Sequence, residues 1–224
     1  MNRMPAIAAL LALIWPPISW AEAQPIRISA IPYSMSLENP GTASAPGGSD
    51  RLDLTSSPKS DLFVSPDGRY STDKSPRLLF RPVGAFILTA RIRPEFRTKW
   101  DAGVLLVFND PTHFAKFCYE QDYRGSPRIV SVVCNDTADD CNSEPVPAGE
   151  IFFRVIGSSG SDTFTFYTSP DGKSWFPIRS FRLQKADNVR LGFSSQSPEG
   201  PGCTVHFTAI ALEARAPRDF WLGD

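Results

Sequence analysis

Histidine is nearly missing from this chain. Two histidines and three methionines occur in 224 residues, and no Cys-x-x-Cys pair accompanies them, so a tetrahedral zinc site would have to be assembled from scattered positions. Charge of one sign is also lacking: 23 Lys and Arg stand against 24 Asp and Glu, for a net charge of −1. That balance excludes a polybasic nucleic-acid binder and a disordered acidic tail. No Walker loop, dinucleotide fingerprint, heptad series or internal repeat is present, and Gly157-Ser-Ser-Gly-Ser161 lacks the strand-to-helix setting of a nucleophile elbow. Long apolar runs are absent too. The run Ala6 to Ile14, followed by Pro16-Pro17, is too short to cross a hydrocarbon core of roughly 30 Å. With Arg3 ahead of it and Ala21 and Ala23 behind, it reads as a secretory signal over residues 1–23. The mature chain is therefore expected to be secreted or periplasmic, with no transmembrane segment.

What the chain has in quantity is chain breakers. With 21 Pro and 15 Gly, long helices are excluded and many short strands joined by turns are expected, which makes the fold class all-β. Residues 24–51 read as a Pro/Gly/Ser-rich arm in which only Ile26 to Ile31 resembles a strand, residues 52–214 as the main domain, and residues 215–224 as a tail. Strands are predicted at Leu62–Val64, Arg77–Phe80, Ala85–Ile92, Gly103–Phe108, Phe114–Glu120, Arg128–Asn135, Ile151–Ile156, Thr163–Thr168, Trp175–Phe181, Val189–Ser194 and Thr204–Leu212. Their regular spacing, with turns such as Asp171-Gly172 between, marks a sandwich or barrel. Four cysteines, Cys118, Cys134, Cys141 and Cys203, in an exported chain point to two disulfides and not to metal ligation.

Period-two alternation places Phe114, Lys116, Cys118 and Glu120 on one strand face and His113, Ala115, Phe117 and Tyr119 on the other. If the turn near Tyr123-Arg124-Gly125-Ser126 sets Glu120 opposite Ser131, then Asn135 falls opposite Lys116, grouping polar residues with polar. A register one residue longer sets Cys118 opposite Cys134. Both registers are open at this level.

Four segments carry a family likeness: Ser60-Asp-Leu-Phe-Val-Ser-Pro-Asp-Gly68; Trp100 to Phe108 with Ala115-Lys-Phe-Cys-Tyr-Glu120; Ile129 to Ser143; and Gly192 to Cys203. In order and spacing they resemble the regulation-of-enolase-type family of uncharacterised proteins, with a concanavalin A-like lectin/glucanase jelly roll. The resemblance implies a jelly-roll sandwich of two antiparallel sheets over about Asp50 to Leu212. It also implies the pairings Cys118 with Cys134 and Cys141 with Cys203, with Cys134 to Cys141 as the competitor.

Glucanases of that superfamily present Glu-x-Asp-x-Glu along one strand, where this chain has Lys116-x-Cys118-x-Glu120. Retaining hydrolysis needs two carboxyls roughly 5 to 5.5 Å apart, and this strand supplies one. Glu120 is the catalytic candidate if the protein is an enzyme; the plainer reading is an ion pair of Lys116 with Glu120. Asp136, Asp139 and Asp140 could ligate calcium, yet their spacing matches no EF-hand and suits an ordinary turn. No other cofactor is indicated. Trp100 and Tyr123 are candidates for stacking on sugars, whereas Trp175 reads as core. The resulting expectation is a binding module and not an enzyme, taking a carbohydrate or other cell-surface polymer on a concave face with Lys116, Glu120, Ser131, Asn135 and Trp100. The rivals are a glycan-cleaving enzyme using Glu120 and a structural protein with no glycan site.

Overall fold

The computed structural model describes residues 26–46 and 49–224; the expected signal sequence lies outside them. In chain order the strands are β1 (Ser36–Glu38), β2 (Gly41–Ser44), β3 (Leu52–Ser56), β4 (Leu62–Val64), β5 (Ser71–Asp73), β6 (Arg77–Phe80), β7 (Ala85–Pro94), β8 (Ala102–Asp110), β9 (His113–Gln121), β10 (Pro127–Asn135), β11 (Thr137–Pro145), β12 (Ile151–Ser158), β13 (Thr163–Ser169), β14 (Phe176–Arg182), β15 (Arg190–Gln196) and β16 (Thr204–Glu213). They form a jelly-roll β-sandwich of two seven-stranded antiparallel sheets. The first sheet runs β1-β6-β15-β8-β9-β10-β11 and the second β14-β13-β12-β7-β16-β3-β2, with β4 and β5 paired as a separate hairpin. Among the described residues no helix is long and apolar enough to cross a membrane.

Alternation builds the interior. Ala115, Phe117 and Tyr119 of β9 meet Phe153 and Val155 of β12 and Phe166 of β13 in one apolar cluster. Phe117 stacks between Phe153 and Phe166, with ring centroids 3.8 and 4.7 Å away. Full burial of each such ring contributes about 1.5–3 kcal/mol. The opposite faces of the same strands look outward, and part of each is covered. Over the first sheet, the β4–β5 hairpin adds Leu62, Phe63 and Val64 to a second cluster containing Val104, Leu106, Cys118, Val130 and Val132. Over the second, Ile87, Ile156, Tyr167 and Trp175 pack together, and the chain end crosses Tyr167, whose hydroxyl donates to the Phe220 carbonyl at 2.6 Å.

The N-terminal arm departs from expectation. Ile26 to Ile31 is not a strand; Ile28 and Ile31 are core residues, and the strands lie further on. β1 adds to the edge of the first sheet through β6, and β2 to the edge of the second through β3. Asn39, between them, has φ 64° and donates its amide to the Asp73 and Ser75 carbonyls at 3.2 and 3.0 Å. The segment after Asp136, read as an ordinary loop with calcium as the alternative, is in fact an edge strand, β11.

The expected disulfides are corrected as well. All four cysteines are free thiols. Cys118 lies opposite Val130 and Cys134 opposite Phe114, a separation of four residues along the face and beyond the reach of one S–S bond. Cys141, exposed on β11, lies opposite Ser131, which separates it from Cys134. It is also several strands from Cys203, whose carbonyl accepts from the Ser195 hydroxyl on β15. Burial is the main force on three of these thiols: it raises Cys118 well above its ordinary value and pushes Cys134 up to about 11 and Cys203 up to about 12. They behave as small apolar side chains.

Candidate functional site

A cavity of about 460 Å³ lies between the outward face of the first sheet and the β4–β5 hairpin. Its floor comes from β9 and β15. Lys116 is buried and donates to the Gln196 side-chain oxygen at 3.0 Å and to Asp61 Oδ1 at 3.4 Å. The Gln196 amide nitrogen in turn donates to Glu120 Oε2 at 3.2 Å and to the Trp100 carbonyl at 3.1 Å. One glutamine thus links the cation, the carboxyl and the aromatic loop. Phe63, Tyr70, Trp100, Val130, Val132 and Pro198 supply apolar surface, and Asp140 and Glu199 add carboxylates.

Local bonding fixes each of these groups. Asp61 sits at the root of the hairpin, its carbonyl accepting from the Lys74 and Ser75 amides at 2.8 and 3.0 Å and its Oδ1 from the Leu62 amide at 2.8 Å. Tyr70 reaches back from the hairpin to Asp61 Oδ2 at 3.5 Å. Trp100 is held at φ 70°, an unusual conformation for a bulky residue, of the kind that gathers at binding sites. Beside it, the fully buried Asp101 carboxylate accepts from the Arg97 and Thr98 amides at 2.8 and 2.9 Å and from the Ser197 hydroxyl at 2.6 Å. That one carboxylate ties the Trp100 loop to the Pro198–Glu199 loop.

Electrostatically the floor is strained. Glu120 is 6% exposed, and burial pushes its carboxyl up to about 8 against the pull of Lys116. Burial likewise raises Asp140. Burial alone would lower Lys116, but Asp61, Cys118, Glu120 and Asp140 outweigh it and its net shift is upward. At neutral pH the floor therefore holds an ammonium and a mostly protonated Glu120, able to donate as well as accept.

Of the residues singled out from sequence, Lys116, Glu120 and Trp100 meet in this cavity. Ser131 and Asn135 do not. The β9–β10 hairpin closes three residues tighter than the register that faced Glu120 with Ser131, so Glu120 lies opposite Arg128 and Ser131 opposite Phe117. An odd shift exchanges faces: Val130 and Val132 look into the cavity, while Ser131 is buried and accepts from Arg179 at 3.4 Å. The turn itself sets this length. Asp122 Oδ1 accepts from the Arg124 and Ser126 amides at 2.8 and 3.0 Å, and Gly125 takes φ 79°. Asn135, opposite His113, donates to the Arg182 carbonyl and accepts from the Gln184 amide, fastening β10 to the loop after β14. Tyr123, 58% exposed, lies beside Trp100 with ring centroids 6.3 Å apart.

The three aspartates proposed for calcium diverge. Asp136 approaches His113 Nε2 at 3.4 Å, Asp139 accepts from Arg179 at 2.8 Å, and only Asp140 lines the cavity. Asp61, Phe63, Tyr70 and Gln196 were not named from sequence as site residues. Asp61, Phe63 and Gln196 do fall in segments of the family likeness, and that was the available signal.

The family of proteins of unknown function DUF1349 matches residues 38–215, and the chain belongs to it. No curated protein matches. Among solved structures, a functionally unknown protein from Saccharomyces cerevisiae superposes with a TM-score of 0.74 at 20% identity, covering 86% of this chain and 100% of that one. Bacteroides ovatus xyloglucan PUL GH43B does so with 0.63 at 15% identity, covering 88% of this chain and 40% of its own. A xylan β-1,4-xylosidase from Bacillus halodurans gives 0.59 at 10% identity, covering 76% and 34%. At these identities the likeness is one of fold. The chain spans well under half the length of the latter two proteins.

Proposed function

We propose that this DUF1349 member is an exported module that binds a carbohydrate of an extracytoplasmic polymer in the cavity between the first sheet and the β4–β5 hairpin. One observation carries the reading: a cavity of about 460 Å³ joins a hydrogen-bonded floor of Lys116, Gln196 and Glu120 to walls that include Phe63, Tyr70 and Trp100. Sugars present alternating hydroxyl rims and flat C–H faces, and a polar floor beside aromatic walls is complementary to both. Likeness in fold to proteins whose names refer to xylan and xyloglucan is in keeping with this reading. A glycan-array screen followed by calorimetry tests it. Glu120→Gln is expected to weaken the ligand found by about tenfold, since an amide cannot reproduce the hydroxyl donor of the protonated carboxyl and each lost hydrogen bond costs roughly 0.5–1.5 kcal/mol. Unchanged affinity would take Glu120 out of the site.

The raised Glu120 favours one second reading. A carboxylic acid that keeps its proton near pH 7 is what a glycosidase uses as general acid. Reducing-end release over a long incubation separates the two readings: binding alone predicts none, and Glu120-dependent release at about 1 per second would establish turnover.

A further inference from the structure

We infer that the saccharide taken by this cavity carries a free amine, and that its ammonium group pairs with Glu120 beside Trp100. The inference rests on the carbohydrate reading above and names the substrate class within it.

The first support is a buried carboxyl that no cation contacts. Lys116, the cation that pulls on Glu120, is itself bonded to Asp61 at 3.4 Å and to Gln196 at 3.0 Å, and Arg128, directly across the strand pair, is paired with Asp122 at 3.0 Å. Among the described residues no ion pair reaches Glu120, and its only hydrogen bond is to Oε2, from an amide. Oε1 belongs to a side chain more than nine-tenths buried that lines the cavity, and no hydrogen bond is made to it. Asp140 adds a further carboxylate to the same walls. A ligand carboxylate would meet Asp140 as well as Glu120, and a neutral hydroxyl would bond Glu120 without supplying a counter-charge; an ammonium supplies both charge and hydrogen bonding.

The second support comes from the aromatic walls. Trp100 is bound through its carbonyl to the same Gln196 amide that bonds Glu120, and Tyr70 and Phe63 complete an aromatic lining. Aromatic faces beside a carboxylate are the surroundings that ammonium groups favour, through attraction to the ring quadrupole. A hard metal ion is a poor occupant by comparison: it asks for six to eight oxygens, and among the described residues no three of His, Cys, Asp or Glu are grouped so as to hold one. The raised titration of Glu120, caused first by burial, is the behaviour of a carboxyl short of a cation. Binding an ammonium would lower it again.

The experiment compares glucosamine oligosaccharides with their N-acetylated forms on the full mature chain at pH 6, where the amine is charged and unliganded Glu120 keeps its proton. The amine form is expected to bind at least about tenfold more tightly. It should release close to one proton per site, read by calorimetry in two buffers of different ionisation heat, and the N-acetylated form should release none. Glu120→Gln should abolish both the preference and the proton release. The proton measurement uses the unaltered protein and so stands even if the variant folds poorly. Equal or tighter binding of the N-acetylated form overturns the inference while leaving the carbohydrate reading intact. A preference without proton release, or one that survives in Glu120→Gln, overturns the pairing with Glu120. Failure of both saccharides and of every glycan on the array overturns the inference together with the reading on which it rests.

Discussion

The two sheets each bury part of their outward face and do so in opposite ways. On the second sheet Arg154, Arg91 and His206 each have partners, beside a smaller hollow of about 220 Å³. Arg154 lies 3.8 Å over the Trp175 ring, donates to Thr89 Oγ1 at 3.0 Å and bonds the Gly223 carbonyl near the chain end. Nearby, Arg91 pairs with Glu150 at 3.2 Å, and His206 is held between Asp53 and Glu95 at 2.7 and 2.9 Å. On the first sheet the covering hairpin leaves a cavity, and beneath it a buried carboxyl has no cation of its own. A fold that buries a carboxyl without an ion pair accepts a cost in stability, and such costs concentrate where a ligand is expected.

That contrast can be broken from beneath. Phe117→Ala removes a ring stacked on Phe153 and Phe166 in the interior both sheets share. It should destabilise the whole sandwich by about 3–5 kcal/mol in urea unfolding. A much smaller loss would mean that the sheets are held chiefly by their outer coverings.

The next largest effect belongs to the first sheet alone. Glu120 titrates at about 8 in the fold, against 4.5 ordinarily. Between those values the native state holds a proton that the unfolded chain has given up, so stability falls as pH rises through this window and levels off above it. Between pH 5 and pH 8 the decline attributable to Glu120 should be on the order of 3–4 kcal/mol. Glu120→Gln should remove that slope, leaving the variant relatively more stable at pH 8 than at pH 5. An unchanged slope would show that Glu120 is ionised in the fold and that the two faces differ less than described.

The smallest effect tests the second sheet. Arg154→Ala removes the stacking on Trp175 and two hydrogen bonds, and should cost about 1–2 kcal/mol. Saccharide affinity should be the same within error. A change in affinity would mean that the outer coverings of the two sheets are coupled through the core.

Much of the fold was legible because apolar alternation is a strong signal. β4 and β6 have the bounds expected from sequence, and the division of β9 into an inner face with Phe117 and an outer face with Lys116 and Glu120 follows from period two alone. What stayed hidden was written in polar residues. β11, Thr-Ala-Asp-Asp-Cys-Asn-Ser-Glu-Pro, reads as a loop because an edge strand facing solvent needs no apolar face. β5 is three residues long and polar. Ser131 was misplaced because the hairpin register depends on how Asp122 caps its own turn, and hydrophobic pattern does not report that. The floor itself was half legible: Lys116 and Glu120 share a strand, but Gln196, which joins them, lies 76 residues away from Glu120 in sequence.

The arm has a further consequence for assembly. β1 and β2 are separated by Asn39 and Pro40 alone, yet one caps the edge of the first sheet and the other the edge of the second. A single peptide segment therefore shields two rows of backbone donors and acceptors at once, as one bolt closes two shutters. A cut within it would loosen β1 and β2 together and bare the backbone of β6 and β3, on different sheets, at once.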